Sequence, residues 1–168
     1  MTGGMLTLRP YRPEDAETVL SWCADERAFY QWTAGVLGPW PLSAAAFNFV
    51  ERLTPFIAEA AGRPAGFFTL RRPEPEKNEL RFGFVILDPA LRGRGLGKEM
   101  LRLGLDCAFG PAGAEAVTLG VFENNPQAYR CYLAAGFREV FRSPPETYAV
   151  LGEAWPCREM RRDRPDRG

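Results

Sequence analysis

Histidine is missing from all 168 residues of this chain. That absence removes Ser-His-Asp and Cys-His catalysis and every His-ligated metal centre. Proton transfer, if any, falls to a carboxylate, Tyr, Cys, Lys or bound water. Neither sign of charge is in excess, with Lys+Arg and Asp+Glu at 21 each, so there is no electrostatic case for nucleic acid. No apolar run approaches roughly 18 residues, and no membrane span is expected. The four cysteines, Cys23, Cys107, Cys131 and Cys157, are scattered and none has C-x-x-C spacing. The spacing argues against zinc and redox motifs, and no metal is expected. Met1-Thr2-Gly3-Gly4 does not begin like a secretory signal, so the expectation is a cytoplasmic protein with reduced thiols.

What is present is the composition of a globular domain, 46% hydrophobic and 12% aromatic. The length suits one domain over residues 1–168 with a full core over 6–160. Residues 161–168 are charged and are expected to fray as a tail. Strands are predicted from Leu6 and over 56–60, 67–71, 79–87, 116–122, 137–141, 148–151 and 155–160. Helices are predicted from Arg12-Pro13, with Ala16, Val19, Leu20 and Cys23 buried, and from a Ser43 cap, with Ala46, Phe49, Val50 and Leu53 sharing a face. Residues 29–42 have no clear period. In the strand over 79–87, period-two alternation sends Leu80, Phe82, Phe84 and Ile86 to one face and Glu79, Arg81, Gly83, Val85 and Leu87 to the other.

The most informative stretch follows that strand: Leu87-Asp88-Pro89-Ala90-Leu91-Arg92-Gly93-Arg94-Gly95-Leu96-Gly97-Lys98. An amphipathic helix is predicted after it, over 99–109. Strand, glycine-rich basic turn and helix start together make a phosphate-binding arrangement. Glycine is 17 of 168 residues, so the alternation alone is a weak signal, and a flexible loop is the bland alternative. The loop is not a P-loop, because Glu99 stands where Ser or Thr would bind Mg²⁺. Nor is it a dinucleotide fingerprint, since no acidic residue ends a second strand about 20 residues on.

Downstream stands Asn125-Pro126-Gln127-Ala128-Tyr129-Arg130-Cys131-Tyr132-Leu133-Ala134-Ala135-Gly136-Phe137. The loop resembles the acetyl-CoA pyrophosphate loop of the GNAT N-acetyltransferase superfamily. The second motif matches that family's N-x-x-A-x-x-x-Y-x-x-x-G-F at every fixed position. The resemblance implies an α/β (α+β) GNAT fold, a mixed central sheet of about seven strands flanked by about four helices. It implies an acetyl-CoA-dependent N-acetyltransferase acting on a primary amine, either a protein N-terminus or a small molecule, by direct attack in a ternary complex. The alternative in the same fold is a non-catalytic acyl-CoA-binding or sensor module. Homodimers are common in the family.

Carried onto this chain, the resemblance assigns the cosubstrate's phosphates to the backbone of Arg92, Gly93, Arg94, Gly95, Leu96, Gly97 and Lys98. It assigns the pantetheine arm to the backbone of Val85, Ile86 and Leu87 and to Asn125. Asn125 is equally an N-cap before Pro126. Tyr132 matches the general-acid tyrosine; a core anchor is its rival role. Glu79 lies where some amino-terminal acetyltransferases carry a catalytic glutamate, and a surface glutamate is the rival reading. In Rim-type enzymes the acid stands two residues later, where this chain has Arg81. The acceptor pocket is expected from residues 25–50 and the terminal hairpin. Tyr30, Trp32, Trp40 and Trp155 either enclose the acceptor or fill the core.

Overall fold

The computed structural model describes residues 5–47 and 53–166. Eight strands, β1 (Leu6–Pro10), β2 (Pro55–Ala60), β3 (Arg63–Arg71), β4 (Glu79–Leu87), β5 (Ala116–Phe122), β6 (Arg138–Val140), β7 (Glu146–Val150) and β8 (Glu153–Asp163), form one sheet. Their order is β1-β2-β3-β4-β5-β8-β6, with β7 paired to the first half of β8. Among these strands only β4 and β5 run parallel, so the sheet is mixed as expected. Five helices among the described residues flank it: α1 (Ala16–Ser21), α2 (Glu26–Thr33), α3 (Ala44–Phe47), α4 (Leu96–Phe109) and α5 (Pro126–Ala134).

Two apolar layers sandwich the sheet. Helix α4 buries Leu96, Met100, Leu101, Leu105 and Ala108, spaced at the 3.6 period. They meet Leu80, Phe82, Val117 and Leu119 of the central strands. Gly104 lets the helix come close, since a Cβ there would sit 2.7 Å from the Phe82 ring. On the opposite face, α1, α2 and α3 place Val19, Trp22, Phe29 and Phe47 over Ile57, Phe67 and Ile86.

Two expectations change, and a third lies partly outside the described residues. The stretch without a clear period contains most of α2, whose N-terminus is set by Asp25 accepting from Ala28 N–H at 2.8 Å. Ser43 caps α3 through Ala46 N–H, but Phe49 and Val50 lie outside the described residues. The alternation along β4 breaks at Phe84, which has φ of 51°. Register moves from Thr69 opposite Gly83 to Phe67 opposite Ile86, which inserts one extra residue in β4. Phe84 and Ile86 therefore pack with α1–α3, and only Leu80 and Phe82 of the predicted face pack with α4.

The predicted tail is also corrected. β8 runs through Arg161 and Arg162 to Asp163, and Arg164 N–H donates to the Glu115 carbonyl at 2.8 Å. The charges expected to fray it are partnered: Arg161 with Glu79, Asp163 with Arg138, Arg162 with the Ala135 carbonyl.

One ion pair fixes the start of the domain. Asp15 is nearly buried and takes both Arg9 Nη atoms at 2.8 Å and the Arg12 N–H at 2.8 Å. Burial pushes the Asp15 pKa up, but the Arg9 bonds and the Arg12 N–H together hold it below its ordinary value. Asp15→Asn is expected to cost about 1–2 kcal/mol in chemical denaturation, because it removes a charge-assisted pair from Arg9, which keeps Glu59 as its remaining carboxylate partner. A depressed folded pKa gives stability that is complete above the free carboxyl value of about 4 and fades as pH falls below it. Wild type and variant should therefore converge as the pH is taken from about 4 downward.

Candidate functional site

β4 and β5 are joined at only three pairs, Glu79 with Ala116, Leu80 with Val117 and Arg81 with Thr118. Beyond them the strands diverge, and β4 has no ladder partner on its β5 side up to Leu87. Backbone polar groups need partners, and along this opened edge those of β4 are left for solvent or a ligand. The gap is a cleft of about 520 Å³. Its walls are β4 from Phe82 to Leu87 and β5 from Leu119 to Val121, with the loop before α4, the start of α5, and Trp22, Ala28, Gln31 and Trp32.

The loop closes one end. Asp88 caps a short 3-10 turn by accepting from Ala90 N–H at 2.9 Å, and its own N–H donates to the Ala65 carbonyl. Gly93 and Gly95 then take φ of 81° and 74°, a left-handed conformation that favours glycine. The first helical bond of α4 is Glu99 N–H to the Gly95 carbonyl. No acceptor among the described residues takes the N–H groups of residues 93–98. Unpaired amides at the positive end of a 14-residue helix suit an anion. Arg92, Arg94 and Lys98 stand exposed around it, and none has a carboxylate partner among the described residues. The donors and cations suit a pyrophosphate, and the open β4 edge beside them suits an amide-bearing arm.

Helix α5 supplies the other wall. Asn125 is its N-cap, accepting from Ala128 N–H at 3.4 Å through Oδ1. It also lines the cleft. The N-cap reading holds, and Nδ2 has no partner among the described residues. Tyr132 is 7% exposed, packs edge-on against Phe137 at 6.1 Å, and lines the cleft floor. Its hydroxyl has no partner among the described residues, and no buried side-chain polar atom there is left unpaired. The hydroxyl therefore opens to the cleft. Burial, then the neighbouring Cys131, raises the Tyr132 pKa well above that of a free phenol. Tyr129, one turn earlier, points elsewhere: its hydroxyl donates to Glu139 at 3.0 Å under the Arg158 guanidinium.

Glu79 is not brought to the site. It heads β4 at the closed end of the sheet, and its carboxylate accepts from Arg161 Nη1 at 2.7 Å. It does not line the cleft, nor does any other acid among the described residues. Glu79 is left with no geometric basis as a base. Its partner, 82 positions away, has no local sequence signal.

Of the candidate acceptor aromatics, Trp32 lines the cleft, and its indole N–H donates to the Phe84 carbonyl at 2.7 Å. That bond pins the bulge. Tyr30, whose hydroxyl accepts from Trp40 N–H, and Trp40, against Phe29, belong to the core on the α1–α3 side. Trp155 packs on Phe122 beneath Arg27. Three wall residues, Trp22, Ala28 and Gln31, do not stand out in the sequence. The signal that points to the last two is the Asp25-Glu26 helix start.

The same fold is found elsewhere. A spermidine N-acetyltransferase from Vibrio cholerae, solved with CoA and spermine, superposes with a TM-score of 0.81 at 19% identity, over 96% of each chain. An acetyltransferase of the GNAT family from Bacillus anthracis gives 0.75 at 16% identity, again over 96% of each. At these identities the likeness concerns the fold. The family model described as an acetyltransferase (GNAT) domain matches residues 5–138, which hold the loop, the parted strands and the α5 motif. This chain belongs to the GNAT acetyltransferase family.

Proposed function

We propose that the protein transfers an acetyl group from acetyl-CoA to a primary amine by direct attack in a ternary complex. The observation that carries this reading is the continuity of three features in one cleft: the unpaired amides of residues 93–98, the open edge of β4, and the Tyr132 hydroxyl. The amides hold the pyrophosphate, helped by Arg92, Arg94 and Lys98. Val85, Ile86 and Leu87 bond the pantetheine arm through their backbone, and Asn125 Nδ2 adds a donor beside it. This lays the thioester next to Tyr132.

The amine lone pair then attacks the thioester carbon, and the C–S bond breaks. The departing sulfur takes the Tyr132 proton as charge develops on it; because a thiolate whose thiol has a pKa of about 8.5 is a weaker base than phenolate, the phenolate is re-protonated from water in the same step. With no carboxylate among the described cleft residues, the amine gives its proton to water, and the phenol is restored from solvent. A module that only held an acyl-CoA has no use for a phenol aimed at the sulfur.

The test is thiol release from acetyl-CoA with a panel of amines. Release should require both protein and amine, and mass spectrometry without amine should show no acetylated protein. The pH dependence of kcat/KM should rise with unit slope up to the acceptor's own pKa. Tyr132 titrates above the ordinary phenol value, so no descending limb should appear below about pH 10. CoA binding without thiol release for any amine would leave only the binding-module reading.

A further inference from the structure

Helix α2 spans the parted strands, and two consecutive residues tie it to the two sides. The Trp32 indole N–H donates to the Phe84 carbonyl of β4 at 2.7 Å. Gln31 Nε2 donates to the Asn124 carbonyl at 3.2 Å and to Asn124 Oδ1 at 3.3 Å, two residues beyond the end of β5. Gln31 lines the cleft and Asn124 does not. Asn124 belongs instead to a second hollow of about 320 Å³, with Arg27, Glu123 and Glu153. The bonds between Gln31 and Asn124 thus stand where the two cavities adjoin. The charges nearest Gln31 lie on the far side of them and are paired, Arg27 with Glu153 at 3.3 Å and Glu123 with Arg158 at 3.9 Å.

These bonds fix which way the Gln31 amide is turned. A backbone carbonyl only accepts, so the end that meets Asn124 is the NH₂. Both Nε2 protons are spent there. Oε1 has no protein partner among the described residues, and no buried side-chain polar atom there is left unpaired. Oε1 is therefore accessible, on the residue's cleft side. Other side-chain acceptors among the described cleft residues are fewer than the lining suggests. Asn125 Oδ1 is taken by Ala128 N–H. Gln127 is exposed, with no bond there to orient it. Burial pushes the Cys23 and Cys131 thiols up, so both stay protonated and accept weakly. With no carboxylate in that lining, Gln31 holds its one oriented side-chain carbonyl.

We propose that Gln31 Oε1 accepts an N–H of the incoming amine and so turns its lone pair toward the thioester. The inference rests on the acetyl-transfer reading. On that reading the pantetheine arm runs from the loop back along Leu87, Ile86 and Val85. Phe84, held by Trp32, comes next. Gln31 adjoins Trp32 and so stands at the end of the arm rather than along it. A primary amine carries two N–H donors and one lone pair, so a bond to Oε1 leaves the lone pair free to attack. As the N–C bond forms, nitrogen becomes positive and its N–H a stronger donor. The contact therefore tightens toward the transition state. The nitrogen's surplus proton then leaves to water, and the amide is unchanged.

The test uses the best amine of the panel and measures kcat/KM for each substrate across pH. Gln31→Leu should lower kcat/KM for the amine about 10-fold or more, the scale of one bond to a charged group. KM for acetyl-CoA should change little. Asn124→Ala keeps its backbone carbonyl as an anchor for Gln31 and should keep most of the rate. Gln31→Glu separates contact with the amine from a tie that only holds α2. A carboxylate at the amine binds the ammonium form and takes its proton. The unit slope of kcat/KM below the acceptor's pKa should therefore flatten above about pH 5. A residue that only ties α2 down would lose as much in Gln31→Glu as in Gln31→Leu, with the slope unchanged. That result overturns the inference and leaves the acetyl-transfer reading standing, as does a loss confined to acetyl-CoA. If wild type acetylates no amine, both readings fall together. If Gln31→Leu does not fold, the slope in Gln31→Glu decides alone.

Discussion

Tyr132→Phe is expected to lower single-turnover acetyl transfer about 10²–10⁴-fold, the range for loss of a general acid. The ring is kept, so the contact with Phe137 and the packing under α5 survive. The hydroxyl has no partner among the described residues, so its removal strands no buried group. Stability should change by less than about 1 kcal/mol, and acetyl-CoA affinity should change little. The opposite pattern, a melting temperature several degrees lower with transfer by the folded fraction intact, would make Tyr132 a core anchor. Measuring both on one preparation separates the two. The variant should also become more sensitive to the leaving group: a thioester of a more acidic thiol needs less proton donation and should recover part of the lost rate.

Gly95→Asp should abolish the rise in melting temperature that CoA gives the wild type. A Cβ at Gly95 meets nothing within 4 Å, so the loop has room for the side chain. The φ of 74° costs an L-residue roughly 1–2 kcal/mol, with Asp among the more tolerant. The apo protein should thus fold with a modest loss of stability. The added carboxylate, however, stands before the free amides at the start of α4, where a phosphate would bring like charge. An affinity loss of two or more orders of magnitude is expected, because donors and cations are neutralised and the ligand is repelled. Gly95→Ala carries the same backbone strain without the charge and should keep most of the shift. Equal CoA shifts in Gly95→Asp and wild type would remove this loop from the cosubstrate site.

The half of the site made by contiguous sequence is legible in the residues themselves. Leu87 to Lys98 and Asn125 to Phe137 carry their geometry in local chemistry: glycines at positive φ, an asparagine cap, a proline at the first helical position. The half made by distant pairing is not. Glu79 reads as available because nothing near it in sequence names Arg161 as its partner. Residues 161–163 read as a tail because their charges look solvated, whereas the distant Glu79, Arg138 and Ala135 carbonyl absorb them. Phe84 falls on the wrong face when a period of two is carried through the bulge, and a phenylalanine at positive φ gives no compositional warning. All eight strands read from the residues are present, with β6 and β7 sharing opposite halves of one long partner, β8.

The three-pair junction between β4 and β5 has a mechanical meaning. The sheet is two leaves, β1–β4 and β5–β8, each well laddered internally and joined by a short hinge. On one face α4 spans the leaves, packing in one apolar cluster with Phe82 of one leaf and Val117 and Leu119 of the other. On the other face polar ties span them: Arg81 to Thr118 and Glu159, Arg161 to Glu79, and α2, whose Trp32 holds the Phe84 carbonyl and whose Gln31 holds Asn124. The width of the opening is therefore set by apolar packing on one face and by directed bonds on the other. Hydrogen exchange should find its weakest central amides beside the hinge, where β4 borders the cleft.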